Sequence, residues 1–189
     1  MNRVFKIVAL GATAVGKSSI LLRAARDQYS DIHKLNIGTV YYRKTVQLKN
    51  SEEVIKLELW DTAGQERYNS VTQLYYRNAS AILIVFSMDD AASLYKAIDW
   101  HNVLLEQNSD ALIILVGNKS DKRLTCLQAE QYTLANTLQY FVVSAKLGNG
   151  VEELFQYIAQ SCHKLKQHNQ SAKVQIVAPY EQKSFCCFF

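Results

Sequence analysis

The chain has a single proline, Pro179, and only seven glycines among 189 residues. So little of either excludes collagen-like, low-complexity and proline-rich linker architectures. Basic runs of five or more residues are absent, and the net charge is only +4 with a pI near 8.8. Nucleic acid is therefore not an expected partner. Four cysteines, with no spacing pattern between Cys126 and Cys162, do not make a secreted disulfide framework. The first apolar stretch, Val4 to Leu10, is too short for a signal peptide or a membrane span, so a reducing, cytosolic compartment is expected. What is present is an ordinary soluble composition, 49% hydrophobic and 20% charged, long enough to bury one core without staples.

Apolar runs recur with helical periods between them. Val4 to Leu10 reads as a buried strand, followed by a glycine loop and a helix from about Lys17 to Arg26. Val40 to Leu48 and Val54 to Trp60 alternate across a turn, as an antiparallel hairpin with one solvated face does. AILIVFS (Ala81 to Ser87) and ALIILVG (Ala111 to Gly117) are continuous apolar runs, as expected of central parallel strands covered on both faces. Tyr140 to Val143 is a shorter strand of the same kind. Helical periods near Val71 to Arg77, Ser93 to Glu106, Leu127 to Asn136 and Val151 to Lys166 complete an α/β order. That order predicts a parallel sheet between two helix layers, with ligands beyond the carboxyl ends of the strands. From Gln167 the period stops, so residues 1–166 read as one domain and 167–189 as a flexible tail.

Gly11 to Ser19 reads GATAVGKSS, which matches G-x-x-x-x-G-K-[ST] at Gly11, Gly16, Lys17 and Ser18. The loop's N–H groups must wrap phosphate oxygens, and a side chain at Gly16 would obstruct the wrap. Lys17 brings charge to the β- and γ-phosphates, Ser18 offers a hydroxyl to Mg²⁺, and the helix adds its positive dipole end. The base is addressed later in the chain. Asn118, Lys119 and Asp121 read N-K-x-D after the fifth strand. A carboxylate at Asp121 can accept from the N1–H and 2-amino group of guanine, which adenine does not present, while Asn118 and Lys119 brace the loop and cover the base. Ser144-Ala145-Lys146 follows the last strand, where a backbone N–H could reach guanine O6. D-T-A-G (Asp61 to Gly64) follows the third strand. Asp61 suits a hold on Mg²⁺ through water, the Gly64 N–H suits the γ-phosphate, and Gln65 is placed to orient an attacking water.

These residues resemble the Ras-like small GTPases, and within them the Rab branch. WDTAGQERY (Trp60 to Tyr68) followed by YYR (Tyr75 to Arg77) is similar to a Rab switch II, and the loop GATAVGKSS looks like that of endosomal Rabs. The resemblance runs from about Phe5 to Ala159 and resumes at the terminal cysteines. It implies a three-layer P-loop NTPase fold, with a six-stranded, mostly parallel sheet and five helices on its two faces. It also implies Mg²⁺-dependent binding of GTP and GDP, with Ala14, Val15 and Ser19 lining the nucleotide and Tyr29 edging the guanine. Slow hydrolysis to GDP and phosphate follows from the same likeness. The effector surface it implies comprises Ile37, Gly38, Tyr41, Trp60 and Tyr75; ordinary core packing is the competing reading of Trp60. Implied partners are effectors, an exchange factor, a GTPase-activating protein and GDI- or escort-type prenyl carriers, with the chain itself a monomer.

Cys186-Cys187-Phe188-Phe189 resembles the double-geranylgeranylation signal of that branch, and Cys186 also fits C-a-a-X. Two prenyl chains would supply the two signals that stable anchoring takes. The expected place is the cytoplasmic face of endomembranes, in exchange with cytosol, and the expected role a switch in vesicle traffic. One rival is a nucleotide-bound scaffold that scarcely hydrolyses; another is a P-loop kinase, against which N-K-x-D and S-A-K count.

The chain also departs from the family. Asn36 stands in Leu35-Asn36-Ile37-Gly38 where the family carries the switch I threonine whose hydroxyl binds Mg²⁺. Asparagine has an amide oxygen that could coordinate, but its side chain is longer and planar, and Mg²⁺ demands near-ideal octahedral geometry. Thr39, Val40, Asn78 and Ser87 are further departures, on the effector and regulator surfaces. The expected outcome is a less ordered switch I with GTP and weaker discrimination of GTP from GDP. A crystal structure with a GTP analogue checks this: Asn36 on the metal at about 2.1 Å would contradict it.

Overall fold

A computed structural model of the chain describes residues 3–30, 40–49, 51–61, 76–107, 109–122 and 125–174, with side chains described as far as residue 167. Six strands form one sheet: β1 (Arg3–Leu10), β2 (Val40–Gln47), β3 (Val54–Asp61), β4 (Ala81–Ser87), β5 (Leu112–Asn118) and β6 (Gln139–Val142). Among the described residues four helices accompany them: α1 (Lys17–Arg26), α2 (Ala91–Glu106), α3 (Leu127–Ala135) and α4 (Val151–Val174). The strand order is β2-β3-β1-β4-β5-β6, and only the β2–β3 pair is antiparallel.

Burial follows the sequence periods. All seven residues of β4 are buried, because helices cover both its faces. In β3 the core-facing Ile55, Leu57 and Leu59 alternate with Lys56, Glu58 and Trp60, since one face there lacks that cover. On one side of the sheet Phe5, Ile7, Leu57, Leu83 and Ile114 pack with Ile20 and Leu21 of α1 and with Leu154, Phe155 and Ile158 of α4. On the other, Val8, Leu10, Ile82, Ile84 and Leu115 pack with Leu94, Ala97 and Leu104 of α2 and Ala129 of α3. The result is the expected three-layer α/β architecture.

Strand and helix ends differ from the sequence periods by a residue or two, except at the end of α4. α2 begins at Ala91 rather than Ser93 because Asp90 caps it, its side chain accepting from the Ala92 N–H at 3.0 Å. α4 continues to Val174 where the sequence period suggests an end at Lys166. The segment Gln167–Val174 is too polar to show a period, yet holds no glycine or proline to stop a helix already propagating. The helical period at Val71 to Arg77 falls largely outside the described residues, so the fifth helix implied by the resemblance does too.

One strut of the core was not legible in the sequence. His163 of α4, 7% exposed, receives the Arg3 guanidinium at Nδ1, 3.1 Å away, and lies 2.8 Å from Glu53 through Nε2. A guanidinium only donates, so Nδ1 is the acceptor. The contact ties α4 to the start of β1 and to the β2–β3 turn.

The two helix layers predict a sharp contrast in stability. Leu154→Ala, at a fully buried site, should cost about 2–5 kcal/mol. Leu134→Ala, at a side chain 82% exposed, should change stability by less than about 0.5 kcal/mol. Urea unfolding of both variants checks the difference.

Candidate nucleotide site

The strand order changes direction between β1 and β4, so the crevice for a ligand lies beyond their carboxyl ends. The loop from Gly11 to Lys17 leaves β1 there. Its backbone turns through positive φ at Gly11 (136°), Ala14 (63°) and Gly16 (96°), a conformation that gathers successive N–H groups into a concave nest. Space as well as conformation requires the two glycines. A Cβ at Gly11 would stand 2.0 Å from the Val85 carbonyl oxygen, and one at Gly16 would stand 2.2 Å from Asn118 Nδ2.

Lys17 is 6% exposed and donates to the Gly11 and Ala12 carbonyls, both at 2.8 Å, so its ammonium is held inside the curl of the loop. Gly16 caps α1 without a side-chain hydrogen bond, and no acidic residue occupies the first turn. The first-turn amides and the dipole of a ten-residue helix thus meet the nest. Ser18 lies half-buried in that turn, and Ser19 is buried. Asp61 ends β3 directly beside Ala9 of β1 and is wholly buried. Its charge adds to burial in pushing the Tyr42 hydroxyl above the usual tyrosine range. A serine hydroxyl and a carboxylate are hard oxygen donors, and with phosphate oxygens and water they make a set that suits Mg²⁺.

The side chain of Asn118 joins the loops that follow β5 and β6 to this one. Asn118, 2% exposed at the end of β5, donates from Nδ2 to the Val15 carbonyl at 2.8 Å. Its Oδ1 accepts the Ala145 N–H at 3.1 Å. Three segments, Gly11–Lys17, Asn118–Asp121 and Ser144–Lys146, are joined in this way. Lys119 takes a positive φ of 64°, which turns the chain so that Asp121 faces the β6–α4 loop. There Ser144 Oγ donates to Asp121 Oδ1 at 2.6 Å and accepts from the Leu147 N–H at 3.1 Å. Tyr29 packs half-buried against the core on the α1 side. The Ala145 N–H is engaged by Asn118 in this structure.

Two contributors carry no sequence signal. Arg23 of α1 donates from Nε to the Ala145 carbonyl at 2.9 Å and from Nη2 to the Lys146 carbonyl at 2.8 Å, clamping that loop from below. A basic residue in the last turn of a helix reads only as a complement to the dipole. Asp89 receives the Lys122 ammonium at 2.6 Å and the Ser87 hydroxyl. In sequence it is hidden by Asp90, the helix cap beside it.

Tyr41 and Trp60 of the expected effector surface are cross-strand partners, their rings edge to face with centroids 5.5 Å apart. Trp60 is partly buried against the α2-side core, so the packing role applies to it as well. Asn36, Ile37, Gly38, Gly64, Gln65, Tyr75, Cys186 and Cys187 lie outside the described residues.

Comparison with known proteins agrees with this geometry. The family model described as "Ras family" matches residues 6–164. GTP-binding protein ypt5 of Schizosaccharomyces pombe is 42% identical over 161 residues, covering 82% of this chain and 76% of its own. Ras-related protein Rab-5A of Dictyostelium discoideum is 36% identical over 97% of this chain and 95% of its own. Ras-related protein RABF2b of Arabidopsis thaliana is 38% identical over 82% of this chain and 79% of its own. The chain belongs to the Rab family of the Ras superfamily. It is a GTPase, hydrolysing GTP to GDP, of the kind that acts in vesicle traffic and is typically stimulated by an activating protein. Ras-family GTPases bind guanine nucleotide and Mg²⁺, and Rabs work with regulators and effectors at endomembranes. Among the described residues no helix is long and apolar enough to cross a membrane.

The crowding at Gly16 gives a direct prediction. Gly16→Ala must displace Asn118 and strain a positive-φ position, a cost of about 1–3 kcal/mol. Release of a fluorescent GDP analogue should be faster by about tenfold. An unchanged rate would contradict the geometry.

Proposed function

We propose that this Rab GTPase is a prenyl-anchored switch whose nucleotide is held by the three loops that Asn118 joins. The observation that carries the reading is the Asn118 bridge, Val15 carbonyl on one side and Ala145 amide on the other. It sets the phosphate loop and the base loops at a fixed spacing, as one nucleotide touching both requires.

The loop amides of Ala14 to Lys17, with those of Ser18 and Ser19, surround the β- and γ-phosphates, and Lys17 turns its ammonium from the loop carbonyls toward them. Ser18 would hold Mg²⁺ directly and Asp61 would hold it through water. When bound, the ion neutralises charge that develops between the β- and γ-phosphate oxygens. Asp121 accepts from guanine N1–H and the 2-amino group, a backbone amide of Ser144-Ala145-Lys146 meets O6, Lys119 covers the base and Tyr29 edges it. Ser144 keeps the Asp121 carboxylate in its reading orientation. The Gly64 amide meets the γ-phosphate, and Gln65 orients the attacking water. Intrinsic turnover is slow, because an arginine supplied by an activating partner is worth roughly 10³–10⁵ in rate, about 4–7 kcal/mol.

Tyr41 and Trp60, with Ile37, Gly38 and Tyr75, present the effector surface. Cys186 and Cys187 carry geranylgeranyl groups that GDI- or escort-type carriers cover in the cytosol and that anchor the protein, as a monomer, to the cytoplasmic face of endomembranes. Asn36 favours a second reading, a scaffold that binds guanine nucleotide but scarcely hydrolyses it. Single-turnover GTP hydrolysis separates the two. The unaltered chain should hydrolyse at least about tenfold faster than Gln65→Leu. Equal rates would favour the scaffold.

A further inference from the structure

Asp121 is flanked in sequence by two lysines, Lys119 and Lys122, and its carboxylate is exposed. A carboxylate has about four lone-pair sites. One is engaged by Ser144 Oγ, and guanine needs two of the rest. An ammonium that settled on Asp121 would compete for those sites with the advantage of its charge. The structure sends both lysines elsewhere. Lys122 Nζ lies 2.6 Å from Asp89 Oδ2, and Lys119 Nζ lies 3.8 Å from Asp89 Oδ1.

Asp89 is held firmly for this. The Met88 N–H donates to the Asn118 carbonyl at 2.9 Å, which fastens the β4–α2 turn to the end of β5. Ser93 Oγ accepts the Ser87 N–H at 2.9 Å and donates to the Asp90 carbonyl at 2.6 Å, closing the turn around Asp89. The Ser87 hydroxyl completes the shell on Oδ1. Hydrogen bonds from Lys122 and Ser87 hold the Asp89 carboxyl down at about 2, so it is ionised at neutral pH. The Lys122 ammonium is stabilised first by its hydrogen bond to Asp89 and the Asp89 charge, and more weakly by the charge of Asp121. Both carboxylates thus attract Lys122, and Asp89 has it.

We propose that Asp89 is a positioning residue for guanine recognition, drawing Lys122 and Lys119 away from Asp121 so that the Asp121 carboxylate stays open to the base. The proposal rests on the reading of Asp121 given above. Without Asp89, Lys122 falls back on its chain neighbour and Asp121 becomes a poorer acceptor. Guanine, with two donors to lose, suffers more than hypoxanthine, which lacks the 2-amino group.

Release of GDP and of inosine diphosphate from the full chain tests this. Asp89→Asn, a near-isosteric change, should speed GDP release about two- to fivefold, the scale of one exposed charge pair, and inosine diphosphate release less. The preference for GDP therefore shrinks. Adding Lys122→Gln to Asp89→Asn should restore that preference, since the competing ammonium is gone. Unchanged GDP release would overturn the proposal. So would equal acceleration of both nucleotides without rescue by Lys122→Gln, which marks a mere strap between β4 and β5. Asp121→Asn is the separate control. If it leaves the preference for GDP intact, the reading of Asp121 fails, whereas its loss beside a silent Asp89→Asn sinks only the role of Asp89.

Discussion

A buried amide that must satisfy both its ends organises this molecule. Asn118 is almost wholly enclosed, and leaving either its donor or its acceptor unmade would cost on the order of 1–3 kcal/mol. Val15 and Ala145 are the partners that satisfy it, one more than a hundred residues before it in the chain and the other beyond the next strand. Everything around the crevice accommodates that bridge. Gly16 lacks a side chain because Asn118 fills the space, and Arg23 presses the Ala145 loop inward from α1.

The sheet makes the bridge possible. β1, β4 and β5 run parallel, so their carboxyl ends, and the loops that leave them, open on one side. Two helix layers cover the central strands, which permits long apolar runs in them and leaves the chemistry of the crevice to their carboxyl ends. Asp61 is one such group, a carboxylate buried at the end of β3. Its oxygens are hard donors at the mouth of the crevice, the kind that suit a divalent cation.

Much of this could be read from residue order. The continuous run Ala81–Ser87 and the alternation of Val54–Trp60 specify covered and half-covered strands through the period of their side chains alone. GATAVGKSS and N-K-x-D specify their loops because glycine and a short carboxylate are demanded at fixed offsets. What stayed hidden depends on contacts distant in sequence. Arg23, His163 and Asp89 look like ordinary surface or capping residues until the fold brings Ala145, Arg3 and Lys122 against them. The continuation of α4 past Lys166 was hidden for another reason: a polar helix has no apolar stripe to reveal it.

The most direct measurement of the central claim is hydrogen exchange of the GDP-loaded chain with Asn118→Ala. The amides of Gly11–Lys17 and of Ser144–Lys146 should lose protection together, although neither segment is altered. Loss confined to the Asn118–Asp121 loop, with the other two unchanged, would contradict it.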